Sequence, residues 1–179
     1  LVYYLYIPSN YNPRQRYPLV LLLHGDGEKS NPMRTAAQNQ TALLKQAYIR
    51  VWTSAYIVPG NPYIQQHWPC FVVVPQITTS QQWINVSLHK GFYMQGFYVQ
   101  RRLPAIGLLM SMHILAVLQH EYSGIDPGRR YITGISSGAF GVWDAIERWP
   151  AYFTAAAPIA GAGDPMQAAR VRKLPLWIF

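Results

Sequence analysis

The sequence has a single cysteine, few acidic residues and no long uninterrupted apolar run. Cys70 cannot form a disulfide within the chain, so we interpret it as a small buried apolar residue. The longest apolar segment, Leu103 to Leu118, contains a proline, a glycine, a serine and a histidine. It is too short and too interrupted for a membrane span and favours a buried helix. No signal peptide is visible, but the sequence opens at Leu1 without an initiator methionine, so this says little about targeting.

The shortage of acidic residues leaves a formal net charge of +8, from fifteen Lys and Arg against seven Asp and Glu. The basic residues are scattered, and no sequence module typical of nucleic-acid binding is present. We therefore expect a cationic surface, with neither nucleic acid nor membrane among the partners. Half of the 179 residues are hydrophobic and 12% are charged, which excludes a disordered tail and predicts a single domain over residues 1–179.

Strand-like segments alternate with helical or irregular ones along the chain. Two of them, Tyr17–Gly25 and Cys70–Gln76, are continuous apolar runs of the kind found in strands buried on both faces. Further strands are predicted at Val2–Pro8, Arg129–Ile135, Phe153–Gly161 and Leu174–Phe179, and helices at about Pro104–Tyr122 and at Ser137–Arg148. This alternation predicts an α/β fold, a mostly parallel sheet with helices on both faces.

Residues 131–141 read YITGISSGAFG, a strand pattern that passes through Gly-Ile-Ser-Ser-Gly into a helix. Such a turn is sharp and strained, and Gly134 and Gly138 let the strand and the helix approach each other closely around Ser136. The serine hydroxyl then stands exposed at the carboxyl end of the sheet. An incidental serine in a glycine-rich turn is the alternative interpretation. The strand before and the helix after the turn favour Ser136 as a catalytic nucleophile.

A nucleophilic serine of this kind needs backbone N–H groups that stabilise the oxyanion of a tetrahedral intermediate. One donor is predicted to be the amide of Ser137, the residue after the nucleophile. The second should come from the loop after an early strand, and the segment LLLHGDGE fits this requirement. We expect the amide of Asp26 there, with Gly27 as the alternative. His24, at the end of that strand, is expected to bond to the loop backbone instead of acting as a base.

Together these segments resemble the α/β-hydrolase fold. The pairing of YIPSNYNPRQRYPLVLLLHGDGE with GIDPGRRYITGISSGAFGVWDAIERWPAYFTAAAPIAGAGDP is similar to the carboxylesterases related to poly(3-hydroxybutyrate) depolymerases and feruloyl esterases. The resemblance covers nearly the whole chain. It implies a serine hydrolase that cleaves carboxylic esters, on a small molecule or a polymer, through an acyl-enzyme on Ser136. We also expect a secreted or periplasmic protein.

The histidine of the triad is missing from this sequence. In this fold the triad runs in the order nucleophile, acid, histidine, but all five histidines precede Ser136: His24, His67, His89, His113 and His120. In the resembling family LPLWIF matches the strand that runs on into the acid and histidine segments. We expect the chain to be the N-terminal portion of a longer esterase, with both residues after Phe179.

Asp164 offers another position for the acid, since some lipases of this fold place it after the preceding strand. Gly-Asp-Pro also suits a helix N-cap with proline in the first turn, and this interpretation is preferred. A polypeptide that ends at Phe179 would expose a sheet edge at LPLWIF, so we expect self-association through that edge.

The sequence offers few residues that indicate how the substrate is bound. Aromatic residues are frequent between Asn61 and Val99, and among them Trp83 is expected to form a cleft wall. The alternative is that these rings pack a long loop onto the domain. No cluster has metal-ligand spacing and no phosphate-binding loop is present, so neither a metal nor a cofactor is expected. Two other functions stay open: a non-catalytic binding protein of this fold, and a serine peptidase.

Overall fold

The computed structural model describes residues 1–53, 64–86 and 98–179. Its centre is a five-stranded sheet with the order β1-β3-β2-β4-β5. The strands are β1 (Val2–Tyr6), β2 (Tyr17–Leu23), β3 (Phe71–Gln76), β4 (Ile125–Ile135) and β5 (Ala155–Ile159). Strand β1 pairs antiparallel with β3, whereas every other pairing in the sheet is parallel. The expectation of a mostly parallel sheet is thus confirmed.

The two apolar runs singled out in the sequence occupy the inner strands β2 and β3. All six residues of β3 are buried, and six of the seven residues of β2 are buried. A strand with neighbours on both edges and helices over both faces has no solvent side, and this explains continuous hydrophobicity in place of alternation. The inner position of β2 brings its carboxyl end beside that of β4.

Helices cover both faces of the sheet. They are α1 (Ala36–Leu44), α2 (Ala47–Thr53), α3 (Ile64–His67), α4 (Ile106–Glu121), α5 (Ser137–Arg148) and α6 (Ala168–Val171). Alternate β2 residues divide between two cores. Leu19, Leu21 and Leu23 pack with α4 and α5, whereas Val20 and Leu22 pack with residues of α1 and α2. The period of two along the strand therefore assigns one core to each face.

Helix α4 covers most of the apolar segment between Leu103 and Leu118, as expected. Its six buried residues lie along one side, and Ser111 satisfies its buried hydroxyl by donating to the carbonyl of Gly107, 2.7 Å away. No helix in the described ranges is long and apolar enough to cross a membrane.

The last predicted strand, LPLWIF, forms only a single bridge, between Leu176 and Ala156. Its backbone nevertheless makes four hydrogen bonds to β5 and the residue after it, from Ala156, Trp177, Phe179 and Ala160. The side chains of Trp177, Ile178 and Phe179 are exposed. The segment therefore follows the sheet edge, and self-association through it stays a prediction.

Candidate active site

Ser136 lies at the point where β4 turns into α5. Its backbone has φ 54° and ψ −120°, a conformation that residues with a Cβ atom rarely adopt. The amide of Ser136 donates to the carbonyl of Ile159 in β5, 2.9 Å away, so the turn is anchored to the neighbouring strand. The residue is exposed, although the residues after it in the helix are buried. The fold thus presents one strained serine at the carboxyl edge of the sheet.

Two glycines allow this turn to close. A Cβ atom on Gly134 would lie 2.8 Å from the carbonyl carbon of Gly138 and 2.9 Å from the carbonyl oxygen of Leu23. A Cβ atom on Gly138 would overlap the carbonyl oxygen of Leu23 and lie 2.8 Å from that of His24. Helix α5 therefore starts directly against the end of β2, with its first amides directed toward the turn.

The loop after β2 lies next to the serine turn. A Cβ atom on Gly25 would be 3.6 Å from the carbonyl oxygen of Ile135, the residue before Ser136. Asp26 and Gly27 are exposed at the start of a short 3₁₀ helix, and the Asp26 carboxylate pairs with Lys29 at 2.7 Å. The two candidate oxyanion donors of this loop are thus in the same region as Ser136.

Ser137 is the first residue of α5, and its backbone amide is the other candidate donor. Its side chain is completely buried, and its Oγ atom has no hydrogen-bond partner among the described residues. Burying an unpaired hydroxyl costs about 1–3 kcal/mol. The unpaired hydroxyl of Ser137 therefore destabilises the turn in addition to the strained backbone of Ser136.

His24 is completely buried and uses both ring nitrogens. Its Nε2 accepts from the amide of Ile77 at 3.2 Å, which leaves Nδ1 protonated to donate to the carbonyl of Gly25 at 2.6 Å. Burial is the main cause that lowers the pKa of His24 to about 4. A neutral imidazole with both nitrogens occupied holds the loop in place and has no nitrogen left to take a proton from Ser136.

Trp83 corrects the expectation of a cleft wall. Its side chain is fully buried, its Nε1 donates to the carbonyl of His24 at 2.8 Å, and its ring meets the imidazole edge-on. It also lies against the position of Gly141 in α5. A ring with no exposed surface cannot form an open cleft wall, so Trp83 braces the loop and the helix instead. Tyr63, His89, Phe92, Tyr93 and Phe97 lie outside the described residues.

Asp164 is buried and acts as a helix cap. Its Oδ1 accepts from the amide of Met166 at 2.9 Å, at the start of the 3₁₀ helix Pro165–Gln167, and its Oδ2 accepts from the amide of Gln100 at 2.8 Å. Because each oxygen already accepts a backbone amide, the arrangement is the N-cap that Gly-Asp-Pro favours. This geometry gives no support to Asp164 as the acid of a triad.

The other described histidines lie elsewhere in the fold. His67 ends the short helix α3, and His113 and His120 are exposed on α4. Within the ranges that the structure describes, none of them is hydrogen-bonded to Ser136. In these ranges no group of His, Cys, Asp and Glu could hold a metal ion.

Sequence reasoning missed Tyr48, which ties α2 to the loop after β2. Its hydroxyl donates to Glu28 Oε2 at 2.8 Å and accepts from the amide of Gly25 at 3.4 Å. Burial raises the pKa of the Tyr48 phenol, so the hydroxyl keeps its proton for this bond. No local pattern could reveal this contact, since Tyr48 is far from the loop in the chain.

Solved structures of other proteins are similar to this fold. A scan against protein-family models finds no match, and a search of curated proteins finds none either. Among solved structures, a thermostable esterase is similar over 99% of this chain, with 32% identity and a TM-score of 0.68. A poly(3-hydroxybutyrate) depolymerase from Bordetella parapertussis is similar over 98% of the chain, with 18% identity and a TM-score of 0.57. An acetyl xylan esterase from Aspergillus awamori is similar over 87%, with 17% identity and a TM-score of 0.53.

The chain spans only part of these proteins: 41% of the thermostable esterase, 58% of the depolymerase and 44% of the acetyl xylan esterase. The depolymerase and the acetyl xylan esterase are below 25% identity, so these two similarities support the fold only. The mostly parallel sheet, the helices on both faces and the strained turn at Ser136 agree with the expectation drawn from the sequence. The chain has the α/β-hydrolase fold and resembles the esterases that share it.

Proposed function

We propose that this chain carries the nucleophile and the oxyanion hole of a serine hydrolase that cleaves carboxylic esters. The observation that carries the proposal is the strained and exposed Ser136, at φ 54° on a turn enclosed by β2, β5 and α5. Backbone strain persists where the surrounding structure enforces it, and it is concentrated at functional sites. The likeness to a thermostable esterase supports ester hydrolysis as the reaction.

In the proposed reaction, Ser136 Oγ attacks the ester carbonyl carbon while a general base takes its proton. The carbonyl oxygen gains a negative charge, which the amides of Ser137 and of Asp26, or of Gly27, would stabilise by donating hydrogen bonds. Collapse of the intermediate breaks the bond to the alcohol, which leaves with the proton returned by the base. Water then attacks the acyl-enzyme in the same way and releases the acid.

The general base is the part of the machinery that the described residues do not provide. His24 is buried and neutral, with both nitrogens occupied. We therefore propose that the histidine and the acid follow Phe179 in the natural polypeptide, consistent with the triad order of this fold. The substrate class is a carboxylic ester, either a small molecule or one carried by a polymer.

The test is the intact mass of the full-length natural polypeptide after exposure to a fluorophosphonate, which labels activated serines. We expect a single adduct, its loss in Ser136→Ala, and its retention in Ser137→Ala, which removes the neighbouring hydroxyl but keeps the backbone amide. No adduct, or an adduct that survives Ser136→Ala, would contradict the assignment of Ser136 and favour a non-catalytic binding protein.

The same experiment on a polypeptide of residues 1–179 tests the source of the base. We expect no labelling, because a serine without a hydrogen-bonded base is a weak nucleophile. Labelling of this shorter polypeptide would show that the base lies within it. Comparing hydrolysis of an aryl ester with that of a matched peptide amide distinguishes an esterase from a peptidase, and we expect the ester to be preferred.

A further inference from the structure

Behind the serine turn, α5 carries two buried acidic side chains that face a third. Asp144 and Glu147 are each 1% exposed, and Asp164, in the loop after β5, is 3% exposed. Asp164 and Glu147 are directly connected, because the amide of Asp164 donates to Glu147 Oε1 at 2.8 Å. Three carboxyl groups in one buried region are costly unless they are neutralised or paired.

Among the described residues, the cation that pairs with this cluster is Arg148. Its Nε lies 2.7 Å from Asp144 Oδ2 and its terminal nitrogen 3.1 Å from Asp144 Oδ1, so the guanidinium forms a two-point contact with one carboxylate. Asp164 accepts two backbone amides and needs no cation for its hydrogen bonds. Among the residues that the structure describes, Glu147 has no such partner of opposite charge.

The phenol of Tyr98 joins the two acidic groups of the helix. Its oxygen lies 3.2 Å from Asp144 Oδ1 and 3.1 Å from Glu147 Oε2. A phenol has one hydrogen, so it can donate to only one of these oxygens. The other contact is favourable only if that carboxyl group itself holds a proton and donates it to the phenol oxygen.

We propose that Glu147 holds this proton, so that Glu147 Oε2–H donates to the Tyr98 oxygen and the Tyr98 hydroxyl donates to the ionised Asp144. Asp144 is the charged member because Arg148 contacts both of its oxygens. The cluster is then one neutral acid, one ion pair and one capped carboxylate. The proposal concerns the fold behind Ser136 and does not depend on the chemistry assigned to that serine.

This arrangement fastens three separate parts of the chain to one another. Gln100 donates through its side chain to Asp144 and through its backbone to Asp164. Arg148 donates to the carbonyls of residues 101–103. The loop after β5 is held against α5, where a Cβ atom on Gly161 would be 2.5 Å from that of Ala139. Because Ile159 accepts from the Ser136 amide, this loop begins where the serine turn is anchored.

The electrostatics support the same location for the proton. Burial, together with the charges of Asp144 and Asp164, raises the pKa of Glu147 to about 7. The titratable groups that face Glu147 in the described chain are Tyr98, Asp144 and Asp164, with Arg148 beyond Asp144. As the pH rises through this value, the cluster gains an unpaired negative charge, and the three segments should loosen from one another.

Infrared difference spectroscopy of the full chain between pH 5.5 and 8.5 tests the proposal. We expect the carbonyl band of a protonated carboxyl group at pH 6, its disappearance with a midpoint near pH 7, and its absence from Glu147→Gln. Tyr98→Phe should keep the band but shift its frequency, because the acid loses its acceptor. The matched control, Glu121→Gln at the exposed end of α4, should behave as the native chain.

Hydrogen exchange at residues 98–103 and 160–164 provides the second readout, after correction for the intrinsic pH dependence of exchange. We expect protection to fall above pH 7 in the native chain and to stay high in Glu147→Gln, which mimics the neutral acid. A band that persists in Glu147→Gln, no such band at pH 6, or protection that is equally pH-dependent in both chains would overturn the proposal.

Discussion

The backbone conformation of Ser136 lowers the stability of the fold. A positive φ with ψ near −120° is readily accessible to glycine, whereas a residue with a Cβ atom is held there at a cost of about 1–3 kcal/mol. The bond from its amide to Ile159 and the packing of Gly134 and Gly138 keep the turn closed. The cost is concentrated at the one exposed residue of the turn, which is where a nucleophile is expected.

Replacing Ser136 with glycine should therefore make the fold more stable than replacing it with alanine. Both changes remove the hydroxyl, but only glycine relieves the strained backbone. We expect the free energy of unfolding of Ser136→Gly to exceed that of Ser136→Ala by about 1 kcal/mol, after the larger chain entropy of unfolded glycine is deducted. Urea denaturation of both variants measures this difference. Equal stabilities would mean that the backbone at this position is not strained.

At the scale of elements, the start of α5 lies directly against the end of β2. Here the sequence was highly informative, because the predicted helix Ser137–Arg148 has the bounds that the structure gives. The glycine spacing and the strand pattern are local signals of this junction. Strand β4 was predicted too short, since its first residues, Ile125 to Gly128, include polar and turn-forming types that pattern alone assigns to a loop.

Gly138→Ala should disrupt this junction. The added Cβ atom would overlap the backbone oxygen of Leu23 at the end of β2. Because α5 directly follows β4, which pairs with β2, the helix cannot move away from Leu23 without loss of hydrogen bonds between these two strands. We expect a loss of more than about 3 kcal/mol in the free energy of unfolding, or failure to fold.

Gly27→Ala is the matched control for that substitution. A Cβ atom on Gly27 would meet nothing within 4 Å, so we expect a change of less than about 0.5 kcal/mol. Thermal unfolding of both variants followed by circular dichroism makes the comparison. A loss of stability in Gly138→Ala as small as that in Gly27→Ala would show that α5 and β2 can separate easily.

For the molecule as a whole, two buried groups make opposite contributions to the pH dependence of stability. His24 stays neutral in the folded state down to about pH 4, whereas the unfolded chain binds this proton below about pH 6.5. Its contribution to stability therefore falls as the pH decreases from 6.5 to 4. Glu147 keeps its proton up to about pH 7, whereas the unfolded chain loses it near pH 4.5, so its contribution falls as the pH increases between these values.

The two contributions overlap between about pH 4.5 and 6.5 and should largely cancel there. We expect the free energy of unfolding of the native chain to vary little in this window. Of these two contributions, Glu147→Gln keeps only that of His24. The free energy of unfolding of this variant should therefore decrease by roughly 3 kcal/mol as the pH falls from 6.5 to 4. Urea denaturation at intervals of half a pH unit measures both profiles. A Glu147→Gln profile as flat as the native one would contradict the neutral His24.

The sequence predicted the sheet and the serine turn because their signals are local: apolar runs, glycine spacing and a strand followed by a helix. It failed where a residue's surroundings come from distant segments. Trp83 was expected in an open cleft, but its indole donates to His24 and is covered by α5. Tyr48 and the cluster around Glu147 went unnoticed, because their partners are far away in the chain.

The pairing of β2 with β4 has a consequence for the order of folding. Leu19 pairs with Arg130 and Leu23 with Gly134, so two segments that are far apart in the sequence must meet before the serine turn can close. Contacts this distant in sequence form slowly, because a long loop must close first. During synthesis, β2 leaves the ribosome long before its partner exists. We therefore expect the strained turn at Ser136 to be among the last features of this part of the chain to form.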